Sequence, residues 1–195
     1  NSYIVKPFND EKCFIVDLPP DLDNVIEFIK NKNLTVAGAL ITHGHYDHSL
    51  GLSSFEGKAY INLDDEFLAR NPQDQIRSLL GNSFEVGEYT GDLFSISELP
   101  SDIVKVHTNP GHTKGSVSYE FPDEGLIFTG DFVFKDGIGR TDLFTGSMDE
   151  MKNSINNTFL NFNEEYEILP GHGPSDKVKT IKAVSYTHLT LPTRR

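Results

Sequence analysis

Thr42-His43-Gly44-His45-Tyr46-Asp47-His48 follows directly on the apolar run Val36 to Ile41, and its reading decides how the rest of the chain is understood. Three imidazoles and a carboxylate stand within a single short turn. Neutral imidazole nitrogen and ionised carboxylate oxygen are the usual ligands of zinc and iron-like divalent ions, and crowding four such groups together is costly unless a cation compensates. One histidine after a buried strand would be an ordinary polar turn. Four candidate ligands in His43, His45, Asp47 and His48 point instead to a metal site.

Outward from this stretch, three further strand-like runs end in turns that carry potential ligands. Ile103 to His107 leads into Asn109-Pro110-Gly111-His112-Thr113, Leu126 to Thr129 ends at Gly130-Asp131, and Glu167 to Leu169 ends at Pro170-Gly171-His172-Gly173. Strand ends gathered along one sheet edge let loop residues distant in sequence meet. The pooled set, His43, His45, Asp47, His48, His112, Asp131 and His172, exceeds what one tetrahedral ion with an open position needs. It suits two ions bridged by a carboxylate. His107, on an apolar strand, reads as a structural histidine.

The intervening segments predict a mixed α and β chain. Tyr3 to Phe8 and Cys13 to Leu18 form a hairpin around Asn9 to Lys12, and Ser116 to Phe121 pairs with Leu126 to Thr129 around Pro122 to Gly125. Leu22, Val25, Ile26 and Ile29 have the spacing of an amphipathic helix between Asp21 and Lys32. A strand is expected at Gly57 to Leu63, followed by a helix through Ala69 capped by Asp64 or Asp65. Asn71 to Leu99 has mixed periodicity and reads as a loop-rich excursion. Ser147-Met148-Asp149-Glu150 has the form of a capping box, opening a helix whose core face carries Met151, Ile155, Phe159 and Phe162.

The 195 residues, 37% of them hydrophobic, are enough for one substantial core. Cys13 is the only cysteine, which excludes an internal disulfide and a cysteine-based zinc site; in its apolar run it reads as a buried, inert thiol. Seventeen Lys and Arg against 29 Asp and Glu give a net charge of −12, which repels phosphate backbones and disfavours a nucleic-acid partner. With no apolar stretch of membrane-spanning length and no leader-like segment, a soluble cytoplasmic protein acting on a small molecule is expected.

Taken in order, T-H-G-H-Y-D-H, P-G-H-T, T-G-D and P-G-H-G resemble the motifs of metallo-β-lactamase-fold hydrolases, above all the short, single-domain glyoxalase II-like branch. The resemblance implies an α+β, four-layer αββα sandwich over residues 1–182, truncated at the N-terminus. It implies that His43, His45 and His112 hold one divalent ion, that Asp47, His48 and His172 hold a second, and that Asp131 bridges them. Zinc is the first choice, with iron or manganese as alternatives. Asp47 would also orient the nucleophilic water or accept its proton. Arg140, in Gly137 to Asp142, matches a position that holds glutathione carboxylates in glyoxalase II. Thr42 and Thr113 read as hydrogen-bonding or turn residues.

The expected activity is therefore hydrolysis of a thioester such as an S-acylglutathione. Mononuclear iron persulfide dioxygenase, lactone hydrolase and a non-catalytic metal-stabilised module are the alternatives. Two departures bear on substrate: few residues follow His172, where full glyoxalase II enzymes have a helical domain, and Lys114 stands where that family often has proline. Val184 to Thr193 fits no element of the family, and residues 183–195 read as a non-native tail.

Overall fold

Short apolar runs and short amphipathic helices build two five-stranded mixed sheets and a two-stranded one. The structure is a computed structural model that describes residues 1–8, 10–81 and 85–183; the predicted tail, from residue 184 on, lies outside the described residues. The chain divides into two compact units, Asn1–Pro100 and Ser101–Arg195.

In the first unit, β1 (Tyr3–Val5) and β2 (Lys12–Val16) form the expected antiparallel hairpin. The amphipathic helix follows as α1 (Asp23–Asn31), and the chain returns as β3 (Thr35–Leu40). The ligand motif then opens α2 (Tyr46–Ser49); β4 (Ala59–Ile61), α3 (Glu66–Arg70), α4 (Pro72–Leu80) and β5 (Phe94–Ser95) complete the unit. Strand order is β1-β2-β3-β4-β5. Strands β2, β3 and β4 run parallel, so the residues after each of them emerge at the same edge. Ile15 and Ile61 from the strands, and Ile41 just after β3, pack with Leu22 and Ile29.

Two local expectations are corrected. Asp64 and Asp65 do not cap the helix after β4: the Asn62 side chain accepts from the Asp64 N–H, and the Asp65 side chain makes no capping hydrogen bond. The segment after Asn71 is not simply loop, because Pro72 starts α4. Proline at a first helical position costs nothing, since that N–H has no intrahelical partner.

The second unit contains β6 (Lys105–Thr108), β7 (Val117–Phe121), β8 (Leu126–Gly130), β9 (Val133–Phe134), β10 (Gly137–Ile138), α5 (Met148–Asn157), β11 (Glu167–Pro170) and β12 (Asp176–Lys177). Its main sheet has the order β12-β11-β8-β7-β6. Strand β11 is parallel to β8, and β6 reaches the same direction through antiparallel β7. The turns after β6, β8 and β11 therefore share one edge. Half of the capping box forms: Ser147 accepts from the Glu150 N–H, while the Ser147 N–H donates to the Gly111 carbonyl, and Met151, Ile155 and Phe159 are fully buried with Ile127 and Ile168 of the sheet. No described helix is long and apolar enough to cross a membrane.

Candidate metal centre

The first unit brings its four predicted ligands together at the edge where β2, β3 and β4 end. His43, His45 and His48 are buried. His43 Nε2 lies 3.1 Å from His45 Nδ1, and His48 Nε2 lies 3.7 Å from Asp47 Oδ2. Two nitrogens bound tetrahedrally to one zinc at ~2.0–2.1 Å stand about 3.3 Å apart, so the first pair has the spacing of shared ligands.

The residue that orders these imidazoles is Asp17, which the sequence reading did not single out. It directly follows β2 with a left-handed φ of 61° and is buried. One carboxylate oxygen accepts from the Thr42 N–H at 2.8 Å, the Thr42 hydroxyl donates to both oxygens at 3.0 and 2.9 Å, and His48 Nδ1–H donates at 2.7 Å. Because the Thr42 hydroxyl gives its hydrogen to Asp17, it accepts from His43 Nδ1 at 3.1 Å. One carboxylate thereby sets two tautomers, directly at His48 and through Thr42 at His43, and leaves both Nε2 atoms with lone pairs. The signal was available: a carboxylate ending a buried strand, just ahead of Leu18-Pro19-Pro20.

The second unit gathers His112, Asp131 and His172 at its own strand edge. Asp131 Oδ2 is 3.5 Å from His112 Nε2 and 3.5 Å from His172 Nε2. Such distances are long for a charge-assisted hydrogen bond and near the separation of two ligands on one ion. His112 Nδ1 lies 2.7 Å from the Arg140 carbonyl oxygen. A carbonyl only accepts, so Nδ1 carries the hydrogen and Nε2 turns a lone pair toward the Asp131 carboxylate. Lone pair facing carboxylate is unfavourable without a cation between them, so the donor set fits a divalent metal.

A family model for the metallo-beta-lactamase superfamily matches residues 1–172. The chain belongs to this superfamily. A probable metallo-hydrolase of Bacillus subtilis is 33% identical over 92% of this chain and 88% of its own length. A hydroxyacylglutathione hydrolase of Haemophilus influenzae is 30% identical, covering 85% and 82%. Among solved structures, the B3 metallo-beta-lactamase BLEG-1 is 27% identical with a TM-score of 0.79, covering 92% of this chain and 90% of that one. TTHA1623, solved in a di-iron-bound form, has a TM-score of 0.83 at 20% identity over 95% and 93%, a likeness of fold. The chain thus has the metallo-beta-lactamase fold and is a metal-dependent hydrolase of that superfamily.

The other singled-out residues fall outside the ligand sets. The Arg140 side chain is exposed and makes a two-pronged pair with Asp142 at 2.8 and 2.9 Å. Lys135, five residues before Arg140, is a further cation nearby in sequence and pairs with Asp176 at 3.1 Å. His107 Nε2 is 2.7 Å from Glu120 Oε2, and its ring meets the edge of Phe162. Thr113 is buried against the Ser116 hydroxyl at 2.7 Å, as a turn residue would be. Cys13 is fully buried, and burial pushes its thiol up, away from nucleophilic use.

Proposed function

We propose that this superfamily member is a dinuclear hydrolase of thioesters, with S-acylglutathiones as the leading substrates. In this reading His43, His45 and His112 hold one divalent ion, Asp47, His48 and His172 hold the other, and Asp131 bridges; zinc is the leading metal. The observation that carries it is the position of Asp131, whose single Oδ2 atom stands equally far from His112 Nε2 and His172 Nε2. One oxygen shared between imidazoles assigned to different ions is what a bridging carboxylate requires.

Bound divalent ions would supply Lewis acidity, bringing the pKa of water down toward about 7 and polarising a thioester carbonyl. The chain's own groups do the rest. Asp17, Thr42 and the Arg140 carbonyl hold three imidazoles in the tautomers that ligation needs. Asp47, partly exposed at the start of α2, orients the attacking water or takes its proton. Among the described histidines, the one left over is His107, and Glu120 occupies it. No described imidazole is therefore placed to protonate a leaving group, which favours a thiolate, with a parent pKa near 8.5, over an alkoxide or amine. The similarity to a hydroxyacylglutathione hydrolase points the same way.

Elemental analysis of the purified protein, paired with S-lactoylglutathione hydrolysis followed by thiol release, tests the proposal. About two ions per chain and chelator-sensitive turnover are expected, with turnover lost by more than about a hundredfold in Asp131→Ala. Fewer than about one ion per chain, or undiminished Asp131→Ala activity, overturns it. Oxygen uptake with glutathione persulfide in place of hydrolysis would reassign the reaction to a dioxygenase.

A further inference from the structure

We propose that Asp65 and Gln75 are positioning residues that clamp the backbone of the ligand motif, setting the spacing of His43 and His45 and the orientation of α2. The inference rests on His43, His45, Asp47 and His48 being metal ligands, and it assigns a role to a helix the sequence left as loop.

Gly44 separates the two histidines whose nitrogens stand 3.1 Å apart. Its N–H donates to Asp65 Oδ2 at 2.9 Å, and its carbonyl accepts from Ser49 Oγ at 3.3 Å and Gln75 Nε2 at 3.4 Å. Both backbone polar groups of Gly44, one in each of its two peptide links, are thus held by side chains from elsewhere in the unit. The approach is close: a Cβ on Gly44 would stand 2.6 Å from the Asp65 carbonyl oxygen and 2.7 Å from Leu68 Cβ. Asp65 is fully buried at the start of α3, yet its side chain does not cap that helix. A buried carboxylate is costly unless hydrogen-bonded, and here the bond goes to the motif.

Gln75 acts on the next residues. Its Oε1 accepts from the Tyr46 N–H at 3.1 Å while Nε2 donates to the Leu68 carbonyl at 2.9 Å. Tyr46 is the first residue of α2, and His45, at the capping position, makes no side-chain cap. An imidazole committed to a metal is not available as a cap, so the open N–H at the helix start is satisfied from α4 instead. The path through residues 43–46, and with it the direction of Asp47 and His48, is therefore set through the backbone, by hydrogen bonds from Asp65 and Gln75 to Gly44 and Tyr46. Fixing ligands before the ion arrives lowers the ordering cost of binding.

Cobalt(II) titration of the metal-free full chain against a competing chelator, read by affinity and by the visible ligand-field bands, tests this. Asp65→Ala and Gln75→Ala should each weaken uptake by about tenfold or more and shift the bands, while Asp65→Asn, which keeps an acceptor for the Gly44 N–H, should stay within about threefold of wild type. Wild-type affinity and bands in both alanine variants overturn the clamp, as does an Asp65→Asn as weak as Asp65→Ala. If Asp65→Ala fails to fold, as judged by circular dichroism, the partly exposed Gln75 decides by itself. A wild-type chain that takes up no cobalt removes the ligand assignment and the clamp together. Intact uptake without thioester turnover removes only the substrate.

Discussion

Asp17 Oδ2 lies 2.7 Å from His48 Nδ1, and the same carboxylate takes the N–H and hydroxyl hydrogens of Thr42. A single buried group thus ties the end of β2 to the ligand turn after β3. In Asp17→Ala the Thr42 N–H is left buried without its acceptor, at about 1–3 kcal/mol, and His48 is freed to change tautomer. Urea unfolding should register that loss, and metal affinity should fall by about ten- to a hundredfold. Asp17→Asn is the sharper variant: its amide keeps an acceptor for Thr42 but offers His48 Nδ1 a donor, so metal affinity should suffer more than stability. Equal metal affinity in wild type and Asp17→Asn would show that the tautomer is not under Asp17 control.

Gly139 predicts a different kind of damage. A Cβ there would run into the Asp131 carbonyl oxygen, well inside contact distance, and stand 3.2 Å from His112 Cγ. Gly139→Ala should displace the turn that carries Asp131, lowering stability by about 1–3 kcal/mol and weakening metal uptake in the same protein. Gly137→Ala, at a position where a Cβ meets nothing within 4 Å, is the control. A Gly139→Ala variant that unfolds and binds zinc like that control would contradict the packing described.

The Arg140–Asp142 pair makes a pH-dependent prediction. Hydrogen bonds from the Arg140 guanidinium, foremost among the causes, hold the Asp142 carboxyl down from 3.8 to about 2. A depressed carboxylate pKa contributes above its unfolded value, so the pairing is complete above about pH 4 and is lost as pH falls through about 2. Carboxyl carbon-13 titration should find the Asp142 midpoint near 2 in wild type and raised toward the ordinary carboxylate range in Arg140→Ala. At neutral pH the pair is formed, so an anionic substrate using the Arg140 fork must displace Asp142. Asp142→Asn should then lower KM for S-lactoylglutathione with little change in kcat; an unchanged KM would remove Arg140 from the substrate site.

Removing metal should destabilise the folded chain by mass action. At a free zinc concentration a hundred times Kd, one site contributes about 2.7 kcal/mol, which in a protein of this size is worth about 5–10 °C in melting temperature. Thermal melts with and without chelator should differ by at least that amount and converge when zinc is restored. Coincident melts would argue against tight binding.

Much of the fold was legible because local patterning and tertiary packing agree. The β-prone runs of β7 and β8 around a Pro-Asp-Glu-Gly turn, and the apolar face of α1, form the elements they predict. The region after Asn71 was not legible: α4 is nine residues long and carries the polar residues Gln73, Asp74 and Gln75, so no long apolar stripe announces it. Its start is marked only by proline. Asp65 misled for a related reason, since aspartate before a helix usually caps it, and only tertiary structure shows its side chain turned to Gly44.

The sequence by itself determined which residues are the candidate ligands, because imidazole and carboxylate clustered after apolar strands have few other uses. What it left open is the state of those residues. A tautomer is set by whatever faces the second ring nitrogen, and those partners, Asp17 for His48 and the Arg140 carbonyl for His112, lie 31 and 28 residues away along the chain. Only the folding of parallel strands to a common edge brings such partners within hydrogen-bond reach, so ligand identity is a local property and ligand readiness is a tertiary one.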